Sequence, residues 1–200
     1  MLMGIDLTLW RGATCLFSEL SLEVPSGSAL LLRGANGTGK TSLLRVLAGL
    51  TRPECGTISW QGEVCPDGLR SLAAYSGHHS ALNADLTVMQ NLVFYARLGG
   101  WSGHLGQLLE GLGLAALADL ELRHLSAGQR RRGGLARLLM SDCRVWLLDE
   151  PFTNLDAAGR QLVEERIAAH LAGGGVAVAA AHDEMSFGDH AVATLQMGLG

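Results

Sequence analysis

Residues 34–41 read GANGTGKT, a Gly-x-x-x-x-Gly-Lys-Thr loop, and the segments on either side decide what it means. Before it, Ala29–Arg33 is a short apolar run. After it, residues 42–50 place Leu43, Leu44 and Leu47 at helical spacing. Strand, glycine loop, helix is the context in which this pattern cradles phosphate. Gly37 and Gly39 let the backbone bend so that successive N–H groups converge on one anion, while the following helix aims its positive end at the same point. Lys40 adds a full charge for terminal phosphates, and the Thr41 hydroxyl suits Mg²⁺. The nucleotide-binding candidates here are Gly34, Ala35, Asn36, Gly37, Thr38, Gly39, Lys40, Thr41 and Ser42.

Outward from the loop, two more apolar runs, at 145–148 and 176–181, read as strands buried on both faces. Between them Leu162, Val163, Ile167 and Leu171 mark a helix that stops at Gly173. Strands alternating with helices predict the α/β class: a mainly parallel sheet covered by helices, with right-handed crossovers. The N-terminal third is strand-rich at 5–10, 20–24 and 57–60, and Pro25, Gly27, Pro53 and Gly56 punctuate it as turns do in an antiparallel β region. Leu105, Leu108, Leu109 and Leu112 follow helical spacing and predict a helix over 105–117, with no strand-like run between about 82 and 125. The expectation is one domain over 1–200 with a helical subdomain inserted at about 82–135.

Residues 144–150 read RVWLLDE, an apolar strand ending in two carboxylates. Asp149 is placed to hold Mg²⁺ directly or through water. Glu150, projecting differently, is placed to polarise an attacking water as general base. In isolation the pair is equally well read as acidic residues ending a strand before Pro151. Residues 125–129 read LSAGQ, and Ser126 and Gln129 have the spacing of a capping box at a helix start. A capped helix N-terminus also presents N–H groups to a phosphate, so periodicity leaves both readings open.

Composition narrows the function classes. Hydrophobic residues are 48% of the chain, enough for a core, whereas charged residues are only 17% against roughly 25% in an average domain. A net charge of −4 gives no overall attraction to nucleic acid or anionic lipid. Arg130, Arg131 and Arg132 are the one tight basic run, expected to form a solvated helix face, with a partner-facing patch as the alternative. The apolar stretch at 171–181 falls well short of the ~20 residues of a membrane span. Residues 1–10 contain Asp6 and no basic cluster, so they do not read as a signal peptide. Cys15, Cys55, Cys65 and Cys143 show no CxxC pair and are expected to be reduced thiols.

The order of the motifs carries a resemblance. A phosphate loop, LSAGQ at 125–129, LLDEP at 147–151, TNLD at 153–156 and His182 after a strand resemble the ABC ATPase family from end to end. The resemblance implies ATP hydrolysis with Mg²⁺ in a homodimer, each nucleotide lying between the loop of one subunit and the signature helix of the other. Ser126, Ala127, Gly128 and Gln129 then serve the partner's ATP. Asn154, Leu155 and Asp156 match the loop between the two sites. Lys40 and Glu150 are the implied catalytic pair, with His182 as the switch histidine, and Thr41 and Asp149 as Mg²⁺ ligands. Trp10 falls where the family places an aromatic that stacks on adenine.

One departure stands out. Residues 74–78 read AYSGH, so His78 occupies the place of the family's usual Gln beside Mg²⁺. With a short chain, ARL at 136–138 and FTNLD at 152–156, this resembles the subfamily of ATP-binding subunits of the exporter used in cytochrome c maturation. Its implied partners are transmembrane subunits like CcmB and CcmC, its place is the cytoplasmic side of the inner membrane, and its business is haem delivery. Adjacent His78 and His79 are not read as haem ligands. The alternatives are an ATPase subunit moving another small solute, or a soluble ABC ATPase of translation or DNA repair. Members of the latter class usually carry a second cassette, a coiled coil or zinc motifs, and this sequence has none.

Overall fold

The computed structural model describes residues 1–77, 81–181, 185 and 187–198, and within them the chain divides into two compact units. The first comprises 1–75, 143–150 and 168–200; the second comprises 76–142 and 151–167.

The first unit holds two sheets. Strands β1 (Leu2–Arg11), β2 (Thr14–Val24), β4 (Cys55–Trp60) and β5 (Glu63–Val64) form an antiparallel sheet in the order β2-β1-β4-β5. Alternating burial along β1 and β2 explains the pairing, since each strand offers one apolar face to the core. The second sheet has the order β6-β7-β8-β3-β9, from β6 (Ala73–Ser76), β7 (Val145–Asp149), β8 (Val176–Ala180), β3 (Ala29–Arg33) and β9 (Val192–Gln196). Strand β8 runs parallel to both β7 and β3, and β9 runs parallel to β3. Every residue of β7 and β8 is buried, which is why both read as unbroken apolar runs. The core gathers Leu30, Leu32, Leu147 and Val178 with Leu43, Leu44 and Leu47 of helix α1 (Lys40–Leu47).

Helix α1 ends three residues before the expected 50, and the cause is local. Gly49 adopts φ 70, and its N–H and that of Leu50 donate to the carbonyls of Val46 (3.0 Å) and Arg45 (2.8 Å). That pairing is a Schellman motif, which closes a helix with glycine in the left-handed region. Helix α5 (Ala157–Ala172) ends the same way: Gly174, with φ 81, donates to Leu171 and Gly175 donates to His170.

The second unit contains α2 (Val88–Leu98), α3 (Leu105–Gly111), α4 (Ala127–Leu139) and the first turns of α5. The helix expected over 105–117 is broken. Gly113 at φ 61 ends α3, and residues 115–117 form only a 3₁₀ turn. Both α2 and α4 start with a capping box, Thr87 with Gln90 and Ser126 with Gln129. Buried Asn91 satisfies itself by accepting from Asn83 N–H (2.8 Å) and donating to carbonyls at Asn83 and Thr87 (3.0 Å each). The arginine run is not a solvated face: Arg130, Arg131 and Arg132 are each half-buried in α4, and Arg130 donates to the Leu125 carbonyl at 2.7 Å. None of the four cysteines is joined in a disulfide.

Burial also places an imidazole in the first unit. The His170 ring stacks on Trp146 of β7 at 4.2 Å and 8°, with Nε2 3.2 Å from the Val176 carbonyl. Gly175 lacks the Cβ that would strike this ring. Desolvation, and secondarily the Arg144 charge, lower its pKa below the ordinary 6.5, partly opposed by the backbone bonds. In the folded state the neutral form is favoured, so its contribution to stability is complete above the unfolded pKa and is lost as pH falls through the folded one. Urea unfolding from pH 7 to pH 5 is expected to show a weaker loss of stability in His170→Leu than in the parent.

The two helix-ending glycines give a paired test. A Cβ on Gly174 meets nothing within 4 Å, whereas one on Gly49 runs into the Asp67 carbonyl oxygen. Gly174→Ala is expected to cost about 1–2 kcal/mol, the left-handed penalty alone. Gly49→Ala adds an overpacking term of about 1–3 kcal/mol. Urea midpoints of the two variants measure the difference.

Candidate active site

The phosphate loop is a left-handed sequence of glycines: Gly34 at φ 143, Gly37 at φ 85 and Gly39 at φ 95. Gly39 is also the N-cap of α1, and no side chain caps that helix, so its first amides have no side-chain acceptor. Lys40 is only 7% exposed, and its ammonium donates to the carbonyls of Gly34 (2.6 Å) and Ala35 (2.8 Å). Ala35, Asn36 and Gly37 form the exposed rim, with Thr38 and Ser42 partly buried.

Across the sheet, β7 delivers Asp149, which is 4% exposed. Thr41 Oγ1 donates to Asp149 Oδ2 at 2.9 Å, joining residues 108 positions apart. A hydroxyl and a carboxylate side by side are hard oxygen donors, the set that suits Mg²⁺. Glu150 follows at φ 49 with its N–H bonded to the Ala180 carbonyl at 2.7 Å. A non-glycine residue in that region is strained, and it breaks the extended backbone at the first residue beyond β7.

Trp10 stands 49% exposed on β1, opposite Cys15 on β2, and its backbone N–H donates to Glu54 Oε2 at 3.2 Å. The register slips between Leu9 and Trp10, so that Leu16 is an extra residue in β2. That bulge lays Leu16 and Phe17 against Gly39, each 3.4 Å from where a Cβ on Gly39 would stand. The hairpin end bearing Trp10 is thereby fastened beside the loop. Sequence reading missed Leu16, whose only signal is one apolar residue too many for strict alternation.

In the second unit the signature segment forms as its spacing implies. Ser126 Oγ accepts from Gln129 N–H at 3.2 Å, and Gln129 Oε1 accepts from Ser126 N–H at 2.8 Å. Ala127 opens α4, and Gly128 lies against Asn154, whose Nδ2 is 3.0 Å from the position of a Gly128 Cβ. Asn154 is left-handed at φ 63, and Leu155 N–H donates back to Phe152 O at 3.1 Å. Asp156 accepts from Gly159 N–H at 2.8 Å and so caps α5. LSAGQ and TNLD therefore meet in space. His78, placed by sequence at the metal, and His182, placed at the terminal phosphate, lie outside the described residues.

Comparison with known proteins agrees with this geometry. The family model described as ABC transporter matches residues 17–153. The chain is 42% identical over 196 residues to the cytochrome c biogenesis ATP-binding export protein CcmA of Hyphomonas neptunium, covering 98% of this chain and 96% of that protein. It is 46% identical over 185 residues to the CcmA of Xanthomonas axonopodis pv. citri, covering 91% of this chain and 86% of that one. Among solved structures, an ATP-binding subunit of an ABC transporter superposes with TM-score 0.76 at 25% identity, covering 90% of this chain and 79% of that one. A dimeric ATP-binding cassette holding ADP and phosphate superposes with TM-score 0.75 at 20% identity, covering 92% and 88%, and shares the fold. With the family model spanning most of its length and relatives this similar, the chain belongs to the ABC transporter family, as an ATP-binding ATPase subunit.

Proposed function

We propose that this chain is the CcmA-type subunit of a cytochrome c biogenesis exporter, hydrolysing ATP as a homodimer on the cytoplasmic side of the inner membrane to drive haem delivery. Its partners in this reading are transmembrane subunits like CcmB and CcmC, and residues 1–200 act as one ATPase domain with the helical part at about 82–135 as its inserted subdomain. The relatives named for cytochrome c biogenesis support the export assignment. The observation that carries the chemistry is the meeting of Thr41 with Asp149 beside the buried ammonium of Lys40.

The reaction follows from those residues. Lys40, already desolvated, exchanges carbonyl acceptors for the terminal phosphates, and the loop amides and α1 N-terminus hold the same oxygens. Thr41 and Asp149 would hold Mg²⁺, which would supply positive charge to the phosphate oxygens. Glu150, turned out of the strand, takes the proton of the attacking water. Trp10 offers its exposed ring to adenine, and Leu16 keeps that ring beside the loop. Ser126, Ala127, Gly128 and Gln129 present the start of α4 to the partner's nucleotide, with Asn154, Leu155 and Asp156 between the sites. By their places in the motif order, His182 would serve the terminal phosphate and His78 would serve the Mg²⁺ site. Among the described residues no helix is long and apolar enough to cross a membrane, so the transmembrane path belongs to other chains in this reading. Phe94 and Leu98, exposed on α2, give those chains apolar surface to rest on.

Two substitutions test the scheme. Glu150→Gln keeps shape and removes the base. Hydrolysis is expected to fall by about 10²-fold or more while Mg-ATP binding persists, and size-exclusion chromatography in Mg-ATP is expected to show a dimer. A monomer under those conditions, with an active parent, contradicts the shared site. Ser126→Arg is expected to leave fluorescent-nucleotide binding to the chain's own loop near the parent's and to abolish turnover. Full turnover would leave Ser126 as a helix cap only.

A further inference from the structure

Edge strand β9 runs beside β3, from Ala29↔Val192 to Arg33↔Gln196, and continues past the end of the ladder into the phosphate loop. Met197 is buried and donates its N–H to the Arg33 carbonyl at 2.8 Å. Its own carbonyl oxygen lies over Gly34: a Cβ on Gly34 would be 2.6 Å from it and 2.9 Å from Thr38 Oγ1. The next residue, Gly198, has φ 85 and fits against the Thr38 side chain, where a Cβ would stand 2.6 Å from Thr38 Cγ2 and 3.0 Å from Thr38 Cβ. The Thr38 side chain is thus held between Gly34 and Gly198.

Thr38 is coupled in turn to the catalytic ammonium. Its hydroxyl donates to the Ala35 carbonyl at 3.0 Å, and Lys40 Nζ donates to that same oxygen at 2.8 Å. A push on the Thr38 methyl therefore shifts the acceptor that holds Lys40 and the turn whose amides face the phosphates.

We propose that Gly198 is a positioning residue for nucleotide binding: its missing Cβ is the gap that seats the Thr38 methyl, and this contact sets the loop in its phosphate-binding shape. The proposal rests on the assignment of residues 34–41 as the ATP site and adds a determinant that the loop motif does not contain. Because the contact acts on the loop rather than on the water or its base, it governs affinity and not the chemical step.

The test is a double-mutant cycle of Gly198→Ala and Thr38→Ser, read as KM for ATP, kcat and amide hydrogen exchange over 34–38. An added Cβ below contact distance raises KM about tenfold and leaves kcat within about twofold. In Gly198→Ala with Thr38→Ser the methyl is gone and the hydroxyl kept, so KM returns to within about twofold of Thr38→Ser alone. Loop exchange rises in Gly198→Ala and falls back in the double variant. Parent-like KM in Gly198→Ala, a loss confined to kcat, or an additive cycle would overturn the proposal, the last because strain at φ 85 alone then explains the effect. If Gly198→Ala does not fold, Thr38→Ser in the parent background is expected to weaken ATP binding about threefold by emptying the gap, and parent affinity there overturns it equally. If the parent binds no ATP, the nucleotide reading fails, and the exchange cycle still decides the contact.

Discussion

A lysine ammonium buried against two carbonyl oxygens is the constraint around which this chain is arranged. Carbonyl dipoles compensate a full charge only in part, so Lys40 sits in a site whose natural complement is an anion. Holding it there requires the loop to curl back on its own carbonyls, and that demands left-handed backbone at Gly37 and Gly39. The curl in turn needs fixed ends: β3 on one side, flanked in parallel by β8 and β9, and α1 on the other, with Leu43, Leu44 and Leu47 in the core.

The sheet order extends the same logic to the acids. Strand β8 separates β3 from β7, yet the loop and helix that follow β3 reach across it, so that Thr41 meets Asp149. Full burial of β7 and β8 makes the end of β7 a rigid mount, and the positive φ of Glu150 changes direction at the first residue beyond it. Two neighbouring carboxylates acquire different surroundings from one backbone turn.

Features written in short spacings were legible in the sequence. The loop, the LSAGQ capping box and the buried strands of the parallel sheet rest on local patterns, and the structure forms them as read. The meeting of Thr41 with Asp149 spans too much chain for spacing to reveal, and the sequence linked the two only through the Mg²⁺ that each was expected to hold. Strand β9 was missed because its five residues are mostly exposed and carry no apolar run, while its pairing with β3 comes from the ladder. The helix over 105–117 failed because leucine spacing outweighed Gly113, whose left-handed backbone ends the turn. The three arginines were misjudged because charge says nothing of the aliphatic stem: all three are half-buried, and the Arg130 guanidinium finds a backbone carbonyl.

The capping box at Ser126 has a consequence for the thermodynamics of assembly. Since the hydroxyl oxygen is engaged as an acceptor for Gln129 N–H, its single proton points elsewhere, and the rotor is already set before any nucleotide arrives. A donor that does not have to be ordered on contact forfeits little side-chain entropy when two subunits close around ATP. Dimer formation in the proposed cycle then draws its unfavourable entropy from the rigid-body union of the subunits rather than from freezing the signature segment.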